Sequence, residues 1–498
     1  MAKTNEKKEL NEFGLKLLIF GFVSFVAIYF LKENSDTWWQ LRAGQELWQG
    51  TFSYFDSWSF TSTGGFWPDH ELGFQLLLYG LWWLGGNSFL VAVPFALGAL
   101  FLTARLLFPT KRLIEAGRGR FSVTTALAIA LPLSVMAVFT SMRPSFITFL
   151  LFALVLWLVK TNRPLWVPLV IFVWVNTHGS FILGLGIIGL GALLALIVAV
   201  KEKFSRSSKR RLIPYLIAVP TSFAVTLINP LGLGLWEFVL GAGNYSNSGV
   251  TEWQPFYTDI LSTLILIALV ASLVVYSKRW RELVSRWELL VPFAVSLFML
   301  ILTFAGARYI SFFALAIVPL VYYLASTAKQ PIVETFKLKR PVIIGIILLW
   351  VFLAVGQSLT WQVAATKNPF SPELQSKLNS EECAGATWND YWSGGYLIWW
   401  ERGIPVSIDS RFDLYSPQLK EVLAIRIAKG TDILDNTEKL NILLKKFEIN
   451  CFLTTNDFST DDEWLIHRGV EVIYSDETHS LFRLDNHAIP LENEKQKG

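Results

Sequence analysis

The stretch SFILGLGIIGLGALLALIVAVKEKFSRSSKRR, residues 180–211, decides the class of protein. Its first part, 180–200, is apolar throughout, and a helix of about 20 such residues spans the hydrocarbon core of a bilayer. Its second part, 201–211, is rich in Lys and Arg, which favours the cytoplasmic side of a membrane. The stretch therefore predicts a transmembrane helix that ends at the cytoplasmic surface.

Apolar runs of this kind recur along the chain. Hydrophobic residues make up 53% of the 498 residues and charged residues only 16%, against about 25% charged residues in soluble proteins. This composition excludes a typical soluble enzyme and a disordered chain. Runs that predict membrane crossings lie near 15–31, 88–108, 121–140, 145–159, 165–177, 180–200, 212–229, 260–276, 287–305, 309–326 and 341–363. The run 72–84 is shorter and predicts an interfacial or re-entrant helix.

Lys and Arg residues set the predicted orientation. If Met1 is cytoplasmic and 72–84 does not cross, the cytoplasmic segments hold 24 Lys and Arg residues, and the opposite side of the membrane region holds four. A crossing at 72–84 would place most of the basic segments outside. The positive-inside rule thus favours eleven crossings, a cytoplasmic N-terminus and an extracytoplasmic C-terminal region.

A change in composition near residue 365 predicts a second domain. Residues 1–364 hold 29 Lys and Arg against 17 Asp and Glu, whereas 365–498 hold 14 against 22. The pattern after 365 predicts strand, turn, strand and loop over 383–416, a helix near 417–447, a strand at 449–455 and a hairpin at 470–485. We therefore expect a small α/β domain. A disulfide between Cys383 and Cys451 and two buried thiols are both open possibilities.

The first outer loop, 32–71, holds the densest set of candidate site residues. Asp36 and Asp56 are carboxylates that could act as a base or bind a divalent cation. Trp38 and Trp39 could stack on sugar rings. In the alternative interpretation Asp36 caps a helix and the tryptophans are interface anchors. The spans carry no charge near their middle, which disfavours a proton- or ion-coupled transporter.

Short outer turns supply further candidates. His70 and His178 are the two histidines of the membrane region, and both are predicted to lie on the outer face, where Glu71 and Asn176 adjoin them. Imidazole and carboxylate groups can bind a metal, although a lone histidine is more often a hydrogen-bonded structural residue.

Two arginines and one acid complete the set. Arg143 and Arg308 lie in outer turns, where a guanidinium could clamp a phosphate or pyrophosphate group. The alternative for both is snorkelling to the membrane interface. Glu252 lies in an outer loop that contains no Lys or Arg.

With these residues in view, the chain resembles the C-class membrane glycosyltransferase superfamily (GT-C), in particular the bacterial group related to oligosaccharyltransferase catalytic subunits. DTWWQLRAGQELWQG…YFDSWSFTSTGGFWPDHELGFQ, within 36–75, resembles the first-loop signature of that group. VTEWQPF at 250–256 resembles the acceptor-loop motif that ends in Glu, and ARY at 307–309 places an Arg where the lipid phosphate is held. WNDYWSGGY at 388–396 loosely resembles the W-W-D-Y-G motif of the soluble domain.

The resemblance implies transfer of a sugar from a polyprenyl-phosphate carrier at the outer face. By analogy, Asp36 would be the general base or a metal ligand, and Glu252 would position the acceptor or the metal. Arg308 would stabilise the phosphate leaving group. Asn389 and Tyr391, within the last motif, would contribute to substrate binding.

One departure from the family motif leaves open whether the chain binds a metal cofactor. Many relatives carry D-x-D or D-x-E on the second outer loop, where this chain has SMRPSF at 141–146. Either a divalent metal, Mg or Mn, is bound by His70 and Glu71 with Asp36 and His178, or no metal is bound and Arg143 contacts phosphate instead.

These observations together predict an α-helical polytopic membrane protein of GT-C type with about eleven transmembrane helices. It would consist of a transmembrane domain, 1–364, and a C-terminal extracytoplasmic α/β domain, 365–498. We expect a glycosyltransferase of the plasma (inner) membrane that contacts the bilayer and a polyprenyl-phosphate-linked sugar, and no nucleic acid. The acceptor would be a cell-envelope glycan, lipid or protein. The alternatives are an oligosaccharyltransferase or oligosaccharide ligase and a non-catalytic glycan-binding membrane protein.

Overall fold

A computed structural model describes most of the chain. The described residues are 2–117, 119, 121–241, 254–274, 279–328, 365–383, 386–411, 414–415, 446–455 and 471–483, with single positions at 345, 348, 349, 352, 353, 356 and 359. The run 341–363 and the segment 417–447 lie largely or wholly outside them, as does Glu252. Predictions for these parts stay predictions.

The described chain is mainly helical up to residue 328. Its helices are α1 (Ala2–Phe30), α2 (Ser35–Gln49), α3 (Leu72–Leu84), α4 (Ala92–Leu107), α5 (Lys111–Ala116), α6 (Val123–Val138), α7 (Ser145–Lys160), α8 (Val167–Val175), α9 (Phe181–Lys201), α10 (Arg206–Val225), α11 (Gly234–Gly241), α12 (Ile260–Val274), α13 (Trp280–Ser285), α14 (Trp287–Leu302) and α15 (Tyr309–Ser326). Short 3-10 turns precede α8 and α12.

Several of these helices have the length and composition of membrane spans. Within the described residues, Ala92–Ala116, Phe181–Lys201 and Tyr309–Ser326 are each long and apolar enough to cross a membrane. Shorter apolar helices are Leu72–Leu84, Val123–Val138, Ser145–Lys160, Pro164–Val175, Ile260–Val274 and Trp287–Leu302. The described helices therefore have the composition of a polytopic membrane protein.

The region after residue 365 combines helices with a four-stranded sheet. Its elements are α16 (Pro372–Leu378), β1 (Ala386–Asn389), α17 (Tyr391–Trp400), β2 (Ile449–Thr455), β3 (Glu471–Ser475) and β4 (His479–Arg483). The strand order is β1-β2-β4-β3. β1 runs parallel to β2, whereas β4 pairs antiparallel with both β2 and β3.

Chain contacts divide the protein into two compact units. The helical unit comprises Met1–Lys32, His70–Phe74 and Leu81–Ala364, and the mixed unit comprises Glu33–Asp69, Gln75–Gly80 and Ala365–Gly498. In the helical unit, α15 is buried along almost all of its length and packs against α6 and α14. In the mixed unit, the first loop contributes α2, which packs on α17.

The packing of α2 on α17 requires a glycine. The Gly395 amide donates to the Ser35 hydroxyl at 3.0 Å. A Cβ at residue 395 would lie within 1.9 Å of the Ser35 carbonyl oxygen, so a larger residue would force the two helices apart.

The predicted strand–turn–strand over 383–416 is partly wrong. β1 forms, but α17 follows it where a second strand was expected. The Asp390 side chain accepts a hydrogen bond from the Ser393 amide and thereby caps α17, since Asp is a strong helix N-cap. The predicted strand at 449–455 and the terminal hairpin are confirmed by β2, β3 and β4.

Cys383 and Cys451 form a disulfide with a Cα–Cα distance of 5.5 Å and a sequence separation of 68. Of the two possibilities open at the sequence level, the bonded one is therefore found. Both cysteines belong to the core that α16, α17 and the sheet share.

Candidate functional site

Five of the predicted site residues lie where helices of the helical unit begin. Glu71 is the N-cap of α3 and follows His70, and Arg308 is the N-cap of α15. Arg143 and His178 lie in the turns directly before α7 and α9. Helix N-termini carry partial positive charge and exposed amide groups, which favour bound anions. We call these five residues the outer-turn cluster.

Glu71 is the central acid of this cluster. Its Oε1 atom lies 3.5 Å from Nε2 of His178 and 3.9 Å from Nε2 of His70. The two imidazole rings have centroids 6.2 Å apart, and His70 also packs against Phe238. Two histidines that are distant in sequence therefore share one carboxylate, as the sequence interpretation of a common face requires.

A hydrogen bond indicates which ring nitrogen of His178 carries the proton in the neutral form. The Ser180 amide donates to Nδ1 of His178 at 3.1 Å. In a neutral ring the proton therefore resides on Nε2, the atom closest to Glu71. Burial lowers the pKa of His178, and the positive charges of His70, Arg308 and Arg143 lower it further. His178 is thus a neutral donor at pH 7.

Two arginines of other turns, Arg143 and Arg308, contribute to the lowered pKa of His178. Nη2 of Arg308 donates to the Tyr309 hydroxyl at 3.1 Å, and its guanidinium lies over the Tyr309 ring. Nε of Arg143 donates to the Ser141 hydroxyl at 2.9 Å. Both arginines are partly exposed. The outer-turn cluster thus combines two arginines with one carboxylate and two imidazoles, and this composition suits a phosphate group.

The first turn of α2 contains Asp36 but is capped by another residue. Oδ1 of Asn34 accepts from the Thr37 amide at 3.2 Å, while the Thr37 hydroxyl accepts from the Asn34 amide. This capping box supplies hydrogen-bond partners for the amide groups at the start of α2. Asp36 is partly exposed, and the alternative interpretation that it is the cap of the helix is wrong.

The two tryptophans after Asp36 are core residues of the mixed unit. Trp38 is 1% exposed and packs against the rings of Tyr396, Trp399 and Trp400. Trp39 is buried, and its Nε1 donates to the Ser410 hydroxyl at 2.9 Å. Their indole faces contact protein, which is the arrangement of a packed core.

Asp56 belongs to a buried ion-pair network that sequence reasoning missed. Oδ1 of Asp56 lies 2.7 Å from Nη1 of Arg411, and Arg411 also binds Asp409 at 2.7 Å. The Tyr415 hydroxyl donates to Asp409. We call Asp56, Asp409, Arg411 and Tyr415 the Arg411 network. Burial alone would lower the pKa of Arg411, but the carboxylates outweigh it and raise that pKa.

The remaining predicted residues make local structural bonds. The Asn389 side chain is buried and donates to the carbonyls of Asp390 and Ile408. Tyr391 is the first residue of α17 and is partly buried. The Asn176 amide donates to the carbonyls of Phe172 and Ile228.

The described residues do not fit the predicted metal site. No group of three or more His, Cys, Asp or Glu side chains in the described part of the chain is arranged to hold a metal ion. His70, Glu71 and His178 are neighbours, but Arg143 and Arg308 add positive charge beside them, which opposes a bound cation. Asp36 belongs to the other unit.

The chain is similar to known structures over nearly its whole length. It is similar to the oligosaccharyltransferase AglB of Archaeoglobus fulgidus in complex with an inhibitory peptide and a dolichol-phosphate, at 12% identity and a TM-score of 0.49, over 96% of this chain and 75% of that one. It is also similar to ArnT of Cupriavidus metallidurans bound to undecaprenyl phosphate, at 12% identity and a TM-score of 0.48, over 95% of this chain and 98% of that one.

A further structure of the A. fulgidus oligosaccharyltransferase, in complex with Zn and sulfate, matches at 11% identity and a TM-score of 0.46, over 88% of this chain and 68% of that one. These neighbours are GT-C glycosyltransferases, the superfamily that the sequence resembles. No protein-family model matches the chain, and no curated protein matches it in sequence.

Proposed function

We propose that this chain is a membrane glycosyltransferase of GT-C type. It transfers a sugar from a polyprenyl-phosphate donor to a cell-envelope acceptor at the outer face of the plasma membrane. The observation that carries the proposal is the outer-turn cluster, in which Arg143 and Arg308 lie near a neutral His178 at the starts of helices. A lipid phosphate leaving group requires positive charge of this kind.

The proposed topology has eleven crossings, a cytoplasmic N-terminus and an extracytoplasmic mixed unit. The Lys- and Arg-rich segments support this orientation. The disulfide between Cys383 and Cys451 supports it independently, because disulfides persist in oxidising compartments and are rare in the cytosol.

In the proposed reaction, Asp36 accepts the proton of the acceptor hydroxyl. The hydroxyl oxygen forms a bond to the anomeric carbon while the bond from that carbon to the lipid phosphate oxygen breaks. The lipid phosphate leaves with the bonding electron pair, and Arg308 stabilises its negative charge. Glu252 positions the acceptor. Asp36 lies in the first turn of α2, which Asn34 caps, and its side chain is partly exposed.

Substitution of Asp36 by Asn tests the proposal. Loss of a general base lowers rates by about 10²–10⁴-fold. Cells that carry Asp36→Asn should therefore lose an envelope glycan or accumulate a polyprenyl-phosphate-sugar, as measured by glycolipid and glycoconjugate profiling at matched membrane expression. A donor that carries several sugars would identify an oligosaccharide ligase instead.

Asp259→Asn is the matched control. Asp259 is likewise an acid at the start of a helix, α12, where its Oδ2 accepts from the Ser262 amide at 2.7 Å, and Asn preserves such a cap. This variant should leave the profile unchanged. If Asp36→Asn also leaves it unchanged while deletion of the protein alters it, the non-catalytic glycan-binding alternative replaces the proposal.

A further inference from the structure

The mixed unit contains a polar cleft. Its volume is about 220 Å³. Arg42 and Glu46 of α2 line one side, and Phe55 and Trp58 of the first loop and Arg402, which follows α17, complete it. Arg411 lies at its base. All of these residues belong to the same compact unit. We call this feature the loop cleft.

One arginine that lines the loop cleft has no ion-pair partner among the described residues. Nε of Arg42 lies 2.7 Å from Oε1 of Glu46, and that oxygen also accepts from the Trp58 indole at 3.2 Å. Arg411 is matched by its own two carboxylates. Arg402 makes no ion pair with any described residue; its Nε donates only to the Trp399 carbonyl. Arg402 is therefore the arginine of the cleft without an ion-pair partner among the described residues, and an external anion could pair with it.

Arg42 and Arg402 are close enough to repel each other. Burial lowers the pKa of Arg402, and the charge of Arg42 lowers it further. Glu46 partly offsets this effect and pairs with Arg42, so a bound anion would act mainly on Arg402. Because each guanidinium presents a planar set of donors, the pair matches a carboxylate or phosphate group.

The rim of the loop cleft has the chemistry of a sugar site. The Phe55 ring is 58% exposed, and an exposed ring can stack on a sugar face. Exposed hydroxyl and amide side chains surround it; these are Gln49, Thr51, Ser53 and Ser57. A small inorganic anion would contact the arginines alone, whereas a glycan would contact the whole rim.

We propose that the loop cleft binds a glycan that carries an oxyanion. Arg402 and Arg42 hold the carboxylate or phosphate, and Phe55 packs on a neighbouring sugar ring. The proposal rests on the proposed function for one step only, namely that this glycan is the acceptor chain. The acceptor would then be an acidic envelope polysaccharide.

A binding experiment on the full-length protein in lipid nanodiscs tests this inference separately from transfer. The first probe is a tetrasaccharide of alternating glucuronic acid and N-acetylglucosamine, and the second is its carboxyl-reduced counterpart. A glycerol phosphate oligomer serves as the third probe and distinguishes phosphate from carboxylate. Binding is measured by calorimetry at low and at physiological salt, since charge-dependent binding weakens as salt rises.

An acidic probe should bind at least tenfold more tightly than the carboxyl-reduced one. Arg402→Gln and Phe55→Ala should each weaken it by tenfold or more. The matched control is Arg483→Gln, because Arg483 is an exposed arginine of the same unit that pairs with Glu471 outside the cleft. It should leave the affinity unchanged.

Equal affinity for the acidic and neutral tetrasaccharides, or unchanged affinity in Arg402→Gln, would overturn the inference, as would lack of binding by all three probes. Acidic-probe binding that survives in Asp36→Asn would support the cleft even if transfer itself were disproved. The two proposals can thus fail independently.

Discussion

The outer-turn cluster and the Arg411 network both combine arginine with carboxylate side chains, but the arginines of the cluster are partly exposed and Arg411 is buried. In the network, the Arg411 side chain and its carboxylate partners are 1% and 0% exposed, and every cation has an acid within hydrogen-bond distance. In the cluster, Arg143 and Arg308 are partly exposed at helix starts and outnumber the single acid, Glu71. A buried set of paired charges holds a fold together, whereas a partly exposed set in which arginines outnumber acids suits an anionic ligand.

Of the substitutions that test this comparison, Arg411→Leu should have the largest effect, a loss in the free energy of unfolding. It leaves Asp56 and Asp409 buried without a counter-charge, and removal of one partner from a buried pair costs about 3–5 kcal/mol. Tryptophan fluorescence during denaturant unfolding would measure the loss, since Trp58 and Trp67 flank the Arg411 guanidinium at 4.6 and 4.9 Å.

The exposed pair of Arg483 and Glu471 supplies the control for Arg411. Arg483→Gln should change the free energy of unfolding by less than about 1 kcal/mol, because surface ion pairs contribute little. Similar losses in the two variants would show that the Arg411 network is not the stabilising element that its burial indicates.

Arg308→Gln should affect ligand binding and leave folding intact. A hydrogen bond to a charged group contributes about 1.5–3 kcal/mol, so the affinity for a short-chain polyprenyl phosphate should fall by about tenfold or more. Titration of the detergent-solubilised protein with farnesyl phosphate measures this, and the midpoint of unfolding should not move. Arg308→Lys should restore part of the affinity, since it keeps the charge and loses the planar donor pair. Full affinity in Arg308→Gln would remove Arg308 from the phosphate site.

His178→Gln should have the smallest effect, and only in acid. The pKa of His178 is lower in the folded state than its ordinary value of 6.5. The unfolded chain therefore binds a proton below about pH 6.5 that the folded chain does not. The free energy of unfolding of the wild type should fall between pH 7 and pH 5 more steeply than that of the variant, and the two slopes should agree above pH 7. Parallel curves at all pH values would mean that the pKa of His178 is the same in the folded and the unfolded protein.

Local pattern predicted much of the fold. The apolar run 72–84 coincides with α3, and the strand at 449–455 coincides with β2. Each of these elements has a periodicity or a length that is visible in a few consecutive residues. α17 was missed because its sequence, YWSGGYLIWW, has the aromatic and glycine content of a strand and turn, and only the Asp390 cap marks the start of a helix.

The candidate site residues show the same contrast between what a local pattern predicts and what depends on long-range contacts. The positive-inside rule placed His70, Arg143, His178 and Arg308 on one predicted face, and the structure brings them together at helix starts. The partner of Asp56 was not predictable, since Arg411 is 355 residues away in sequence and no spacing rule links the two. The burial of Trp38 was missed for the same reason: it results from contacts with α17.

The disulfide described above joins two pieces of chain that proteolysis would otherwise release. A single cut at any position between Cys383 and Cys451 would leave both fragments linked. The nicked protein would therefore migrate as one species on a non-reducing gel and as two after reduction. An engineered cleavage site in this interval, treated with protease from outside sealed cells, would report in one assay both the location of the mixed unit and the state of its cysteines.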